Sequence, residues 1–233
     1  MTSDPIPDNL ARVRSRMADA ARRSGRDPAT IRLVAVTKRR PPEWVRPLVE
    51  AGVRDLGENY PQELWGKVEA LADPSIRWHL IGHLQSNKAK RTLPMVRMVH
   101  GVDSIRLLQA IEGFSVEAPE PPAVCLQVNV SGEEAKHGWN PDILLRVADA
   151  LLDKGRGRVP IVGLMTMAGY GTTDEEARPA FARLRQLRDQ IRERTGLTLP
   201  ELSMGMSGDF EAAIEEGATL IRVGSALFEG AQG

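Results

Sequence analysis

A single cysteine, Cys125, stands among the 233 residues, which excludes an intrachain disulfide and any cysteine-rich metal cluster. It lies in Ala123-Val124-Cys125-Leu126-Gln127-Val128, an apolar strand pattern that makes it a small buried hydrophobe rather than a reactive thiol. An excess of one charge is missing as well. The 31 Lys and Arg balance 31 Asp and Glu, so nothing draws the chain to nucleic acid or to an anionic membrane in general. No apolar run approaches a membrane span in length. Met1-Thr2-Ser3-Asp4-Pro5 has no basic region followed by an apolar stretch, so a cytoplasmic location is expected. The four histidines, His79, His83, His100 and His137, lack a spacing such as His-x-x-x-His, and no metal site is expected. Low-complexity segments are absent.

What is present is an alternation. Leu10, Val13, Met17 and Ala20 share one face of a leading helix over 8–24, with residues 1–7 expected to form a disordered tail. Apolar strands then alternate with amphipathic helices to the end: strands over 32–37, 53–56, 78–81, 95–102, 123–129, 160–166, 201–204 and 220–223. Pro41-Pro42 opens a helix and Asn140-Pro141 opens one over 141–153, while Ser104 and Thr173 stand as caps for helices at 105–113 and 174–195. Pro119, Pro121 and Pro122 make a stiff loop, not a domain linker, because the alternation resumes after them. Near-continuous apolar strands separated by helices imply a parallel sheet covered on both faces. Eight such units in a chain of this length fit a single-domain (β/α)8 TIM barrel over 1–233 better than an open doubly wound sheet. No Gly-x-Gly-x-x-Gly follows the first strand to favour the latter.

Barrel enzymes and binding proteins place their chemistry at the carboxyl ends of the strands, and the unusual polar residues here fall there repeatedly. Lys38 ends strand one, Gly57-Glu58-Asn59 strand two, His83 and Gln85-Ser86-Asn87-Lys88 strand three, and Asn129 with Lys136-His137-Gly138 strand five. An amine on a long stem is poor packing material at the end of a core strand, but a deprotonated lysine condenses with an aldehyde to a Schiff base. Gly205-Met206-Ser207-Gly208 and Gly224-Ser225 follow strands seven and eight. Small residues at these two junctions let backbone N–H groups approach an anion, at the usual phosphate position of such barrels. The plainer alternatives are a capping serine and turn glycines. Arg222 within Leu220-Ile221-Arg222-Val223 is either a structural ion-pair partner or a donor aimed into the mouth. His79 in an apolar strand reads as an interior group rather than a ligand, and Lys88, Lys90 and Arg91 as a solvated helix face.

Taken together, Ala35-Val36-Thr37-Lys38, Gly57-Glu58-Asn59-Tyr60, Trp78-His79-Leu80-Ile81-Gly82, Leu84-Gln85-Ser86-Asn87-Lys88 and Leu202-Ser203-Met204-Gly205-Met206-Ser207 closely resemble the pyridoxal phosphate homeostasis protein family. These are small barrels related to the N-terminal domain of alanine racemase, and the resemblance runs along almost the whole chain. It implies the fold-type III barrel without a C-terminal β domain and pyridoxal 5′-phosphate as cofactor. It also implies Lys38 as the Schiff-base residue, Ser207, Gly224 and Ser225 as phosphate contacts, Arg222 facing the pyridine nitrogen and Asn59 near the ring. Thr37 and Ser225 stand where the family commonly has serine and threonine, and Glu229 is inserted into a usual Phe-Gly ending. The implied role is a cytoplasmic carrier or buffer of pyridoxal phosphate and related B6 vitamers, expected to be monomeric, to have PLP-dependent apo-enzymes as its partners, and to have no established catalytic reaction. Racemases of this fold type use a tyrosine from a second domain, whereas only Tyr60 and Tyr170 occur here. The competing expectations are a slow PLP-dependent amino-acid racemase and a barrel that binds a sugar phosphate. Lys88 and Lys136 are candidates for a second, transient aldehyde contact.

Overall fold

The computed structural model describes residues 5–133, 137–149, 157–169 and 173–231. Eight parallel strands close on themselves in chain order: β1 (Arg32–Val36), β2 (Asp55–Glu58), β3 (Arg77–Leu80), β4 (Met98–Val102), β5 (Ala123–Gln127), β6 (Ile161–Met165), β7 (Glu201–Ser203) and β8 (Leu220–Val223). The expected barrel is the fold observed. Its ring is shut by β1 against β8, where Val34 lies opposite Arg222 and Ala35 opposite Val223. A closed sheet leaves no unpaired edge.

Helices cover the outside: α1 (Ile6–Arg23), α2 (Pro42–Glu50), α3 (Pro61–Leu71), α4 (Ser86–Thr92), α5 (Ile105–Phe114), α6 (Pro141–Arg146), α7 (Asp174–Thr195) and α8 (Phe210–Glu215). The sequence signals for their starts act as read. Ser104 Oγ accepts from Leu107 N–H, Asn140 accepts from Asp142 and Ile143, and Thr173 with Glu176 forms a reciprocal capping box. Among the described residues no helix is long and apolar enough to cross a membrane.

Some boundaries differ from expectation. Ile6 and Pro7, assigned to the tail, belong to α1, because Ile6 is buried in the same apolar stripe as Leu10 and Val13. The second strand lies two residues later than its apolar run suggests. Gly57 and Glu58 have little strand propensity but pair with His79 and Leu80. The fourth strand starts only at Met98, after a 3-10 turn at Leu93–Met95. The helix expected over 141–153 is observed over Pro141–Arg146, breaks at Val147 and is helical again at 148–149, and residues 150–156 lie outside the described set.

Because side chains alternate across a strand, each strand feeds two cores. Outward residues such as Leu56, Leu80, Val99, Leu126, Leu164, Leu202 and Ile221 pack under the helices. Inward residues Val34, Val36, Ile81, Met98, Cys125, Met165 and Leu220 form a separate cluster inside the barrel. Cys125 is fully buried there, and burial pushes its thiol up to about 12, so it is inert as read.

Candidate functional site

The turn that carries Lys38 is built from behind. Thr37 N–H donates to Gly57 O at 3.0 Å, and Arg40 N–H closes the turn on Thr37 O at 3.0 Å. Arg39 between them sits at φ +58°, a left-handed conformation that costs a non-glycine residue about 1 kcal/mol. It is held by Glu63, whose carboxylate accepts the Arg39 N–H at 2.8 Å. Beneath the turn lies a buried ion pair of Lys67 and Glu58. Lys67 Nζ also donates to Thr37 O at 2.6 Å, and Thr37 Oγ1 donates to the same Glu58 oxygen. Burial raises the Glu58 carboxyl, opposed by its hydrogen bonds from Lys67 and Thr37, and its second oxygen Oε2 is buried without a hydrogen-bond partner among the described residues. On the outer side Arg40 stacks over Trp44 at 4.8 Å and Phe228 at 5.1 Å, tying the turn to the segment after β8. Lys38 itself is exposed at the rim. It continues the inward series Val34, Val36, which places it at the barrel mouth.

β8 and β2 flank it. Gly224 packs on Val36: a Cβ there would lie 3.3 Å from Val36 Cβ. Ser207, arriving from β7, directs its Oγ toward the same loop and accepts from Gly224 N–H at 3.2 Å and Ala226 N–H at 3.4 Å. Two backbone donors thus converge on one oxygen, the geometry an anion requires. The loop reaches this position through Gly205, at φ +90°, where a Cβ would come within 2.6 Å of Ala213 Cβ; no side chain fits. Asp209 closes it by accepting from Met206 N–H. Ser225 is exposed and opens the 3-10 turn Ser225–Leu227. Asn59 is half-buried after β2, on the inward side of Gly57. The site residues read from the sequence therefore lie on four adjacent strand ends, β7, β8, β1 and β2. The Ala226 amide, which carries no side-chain signal, escaped the reading.

Arg222 lies below this loop, buried, pointing into the barrel. Its Nη1 donates to Ser203 Oγ at 2.7 Å and its Nη2 to Thr166 O at 2.9 Å. Burial lowers the guanidinium to about 10, still well above neutral pH, so it stays charged and can only donate. From Ser203 a row of hydrogen bonds crosses the interior: His100 Nδ1 at 2.7 Å, His100 Nε2 to His79 Nδ1 at 2.9 Å, and His79 Nε2 to Asp55 Oδ1 at 2.9 Å. Burial lowers both histidines, His100 strongly, so each is neutral with one proton. Burial would raise the Asp55 carboxyl, but hydrogen bonds from Arg77 and His79 outweigh it and hold it well below the usual carboxylate range. A guanidinium that only donates and a carboxylate that only accepts fix every proton between them. Arg222 donates to Ser203, Ser203 to His100, His100 to His79 and His79 to Asp55. His79 is thus an interior group, as read. Its partners Asp55, His100 and Ser203 went unread, although each is a polar residue at an inward position of a strand.

His83 and His137 stack at 5.7 Å above the mouth. Lys88 is half-buried in α4, while Lys136 and Tyr170 lie outside the described residues.

An amine at the first strand end, an amide cup at the last two and a buried arginine facing inward define a barrel of the alanine racemase class. A family model, the alanine racemase N-terminal domain, matches residues 9–232. Alanine racemase of Clostridium difficile superposes with a TM-score of 0.73 at 14% identity over 95% of this chain and 56% of its own, a likeness of fold alone. Much nearer is the pyridoxal phosphate homeostasis protein of Pseudomonas aeruginosa, 44% identical over 223 residues, 96% of this chain and 94% of that one. PipY of Synechococcus elongatus, a solved structure with PLP bound, is 37% identical with a TM-score of 0.85, covering 96% of this chain and 99% of its own. The chain belongs to the pyridoxal phosphate homeostasis protein family.

Proposed function

We propose that the protein binds pyridoxal 5′-phosphate at the barrel mouth, holds it reversibly as a Schiff base on Lys38, and buffers or delivers it within the cell. The observation that carries this reading is the convergence of the Gly224 and Ala226 amides on Ser207 Oγ, on the strand beside the one that ends in Lys38. The residues present fit the cofactor. The amide cup would hold a phosphate, Lys38 would supply the amine that exchanges an aldehyde C=O for C=N with loss of one water, and Arg222 would face the pyridine nitrogen as a donor. When bound, the cofactor supplies an electron-withdrawing ring. A donor-only arginine keeps its nitrogen unprotonated and weakens that capacity. This disfavours carbanion chemistry and supports a carrier that has no catalytic turnover of its own.

The same reading takes the barrel over 1–233 as one domain, acting as a cytoplasmic monomer, with Asn59 and Ser225 as further contacts. Related B6 vitamers are its other ligands and PLP-dependent apo-enzymes its recipients. The test is borohydride reduction of protein incubated with PLP, followed by peptide mass spectrometry. A pyridoxyl group on Lys38, absent from Lys38→Ala, is expected. An unlabelled chain, or labelling confined to another lysine, overturns the reading. The second reading, a slow amino-acid racemase, rests on the shared fold and predicts Lys38-dependent incorporation of deuterium at an amino-acid α-carbon.

A further inference from the structure

The opposite end of the barrel holds a second concave site. A cleft of about 310 Å³ opens under the floor, between α1 and the first residues of β1, β2 and β3. Four arginines line it, Arg14, Arg32, Arg54 and Arg77, with one carboxylate, Asp55. Asp55 is already committed to Arg77, at 2.8 Å from its Nε, and to His79. Arg32 pairs with Glu201 of β7. Four positive charges therefore face two negative ones, in a chain whose net charge is +0. Arg54 is anchored by Nη1 to the carbonyls of Val49 at 2.6 Å and Val53 at 3.2 Å, and Arg14 reaches Ala51 O only at 3.4 Å. Each guanidinium has five N–H donors in a fork that matches a phosphate, and these contacts leave most of them for a ligand. Met17, Ile31 and Val53 supply an apolar wall beside the charges. Clefts of this size and mixed character hold small ligands.

We propose that this floor cleft binds a small phosphate-bearing anion, gripped by Arg14 and Arg54 with Arg32 and Arg77 contributing charge, independently of the mouth. The cleft lies at the amino ends of β1, β2 and β3, the opposite end of the barrel from Lys38 and Ser207, so its ligand does not compete with one at the mouth.

 The test uses the full chain saturated with PLP, titrated by calorimetry with inorganic pyrophosphate and, separately, with phenyl phosphate. Saturable binding of either probe is expected, and a preference between them says whether the natural ligand is an inorganic or an organic phosphate. Arg14→Ala and Arg54→Ala should each weaken binding about tenfold, the loss of one charge-assisted contact. Ser207→Ala should leave it unchanged. Among the described residues the side chain of Arg14 makes only its long contact to Ala51 O, so Arg14→Ala tests the site with little cost to the fold. Absence of binding at millimolar probe, equal affinity in Arg14→Ala and wild type, or loss of binding in Ser207→Ala would overturn the proposal.

Discussion

Replacing Ser203 by alanine removes one hydroxyl and breaks the buried row at its centre. Ser203 Oγ accepts from Arg222 Nη1 and donates to His100 Nδ1, both at 2.7 Å and both out of reach of water. The first is a hydrogen bond to a charged group, whose loss costs about 1.5–3 kcal/mol, and the second leaves a buried ring nitrogen unsatisfied at about 1–3 kcal/mol. The Thr166 carbonyl still holds Arg222 Nη2 and limits the damage. We expect a net loss of about 3–5 kcal/mol, a large part of the 5–15 kcal/mol that keeps a typical domain folded. Urea unfolding followed by far-UV circular dichroism measures it, with Ser225→Ala at the exposed rim as a control expected to change stability by less than about 0.5 kcal/mol. A loss below about 1 kcal/mol in Ser203→Ala would refute the directional row, since it would mean that neither neighbour depends on the hydroxyl.

Acid should act on the same row. His79 and His100 are neutral in the fold but take up a proton when unfolded, so stability is complete above about pH 6.5 and falls as pH drops below it. Between pH 7.5 and 5.5 the two together remove up to about 2.7 kcal/mol, and urea midpoints that do not move across that range would contradict it. Lys67→Met strands Glu58 beneath the Lys38 turn and should cost about 3–5 kcal/mol, whereas Lys67→Met with Glu58→Leu should recover most of it; chemical denaturation of both variants compares them. Gly163→Ala puts a Cβ 2.0 Å from Glu201 O on the neighbouring strand, and a fall of at least about 6 °C in thermal midpoint is expected; a melt within 2 °C of wild type, on the order of the smallest resolvable effect, would show that β6 and β7 separate easily.

The barrel was legible because its strands are near-continuous apolar runs and its helices carry their own caps, signals that survive without tertiary context. Ser104, Asn140 and Thr173 each act where they were read. The rim residues were legible for a related reason: Lys38, Asn59, Ser207 and Gly224 interrupt the pattern at the same end of successive strands. What stayed hidden depends on distance in space. Glu58 and Lys67 are an ordinary acid and base nine positions apart until the β2–α3 packing buries them together. Ser203 and His100 are 103 positions apart and meet only because the barrel closes. The second strand was misplaced because Gly57 and Glu58 owe their conformation to the neighbour's register rather than to their own preference.

The Ser207 hydroxyl has a consequence for exchange. It already sits as the acceptor for the two amides at the end of β8, so those N–H groups have a resident partner belonging to the chain itself. An arriving anion needs only to turn that hydroxyl from acceptor to donor, and a departing one lets it swing back. Loading and unloading then proceed without stranding a polar group at either stage, which suits a vessel that must be emptied as readily as it is filled.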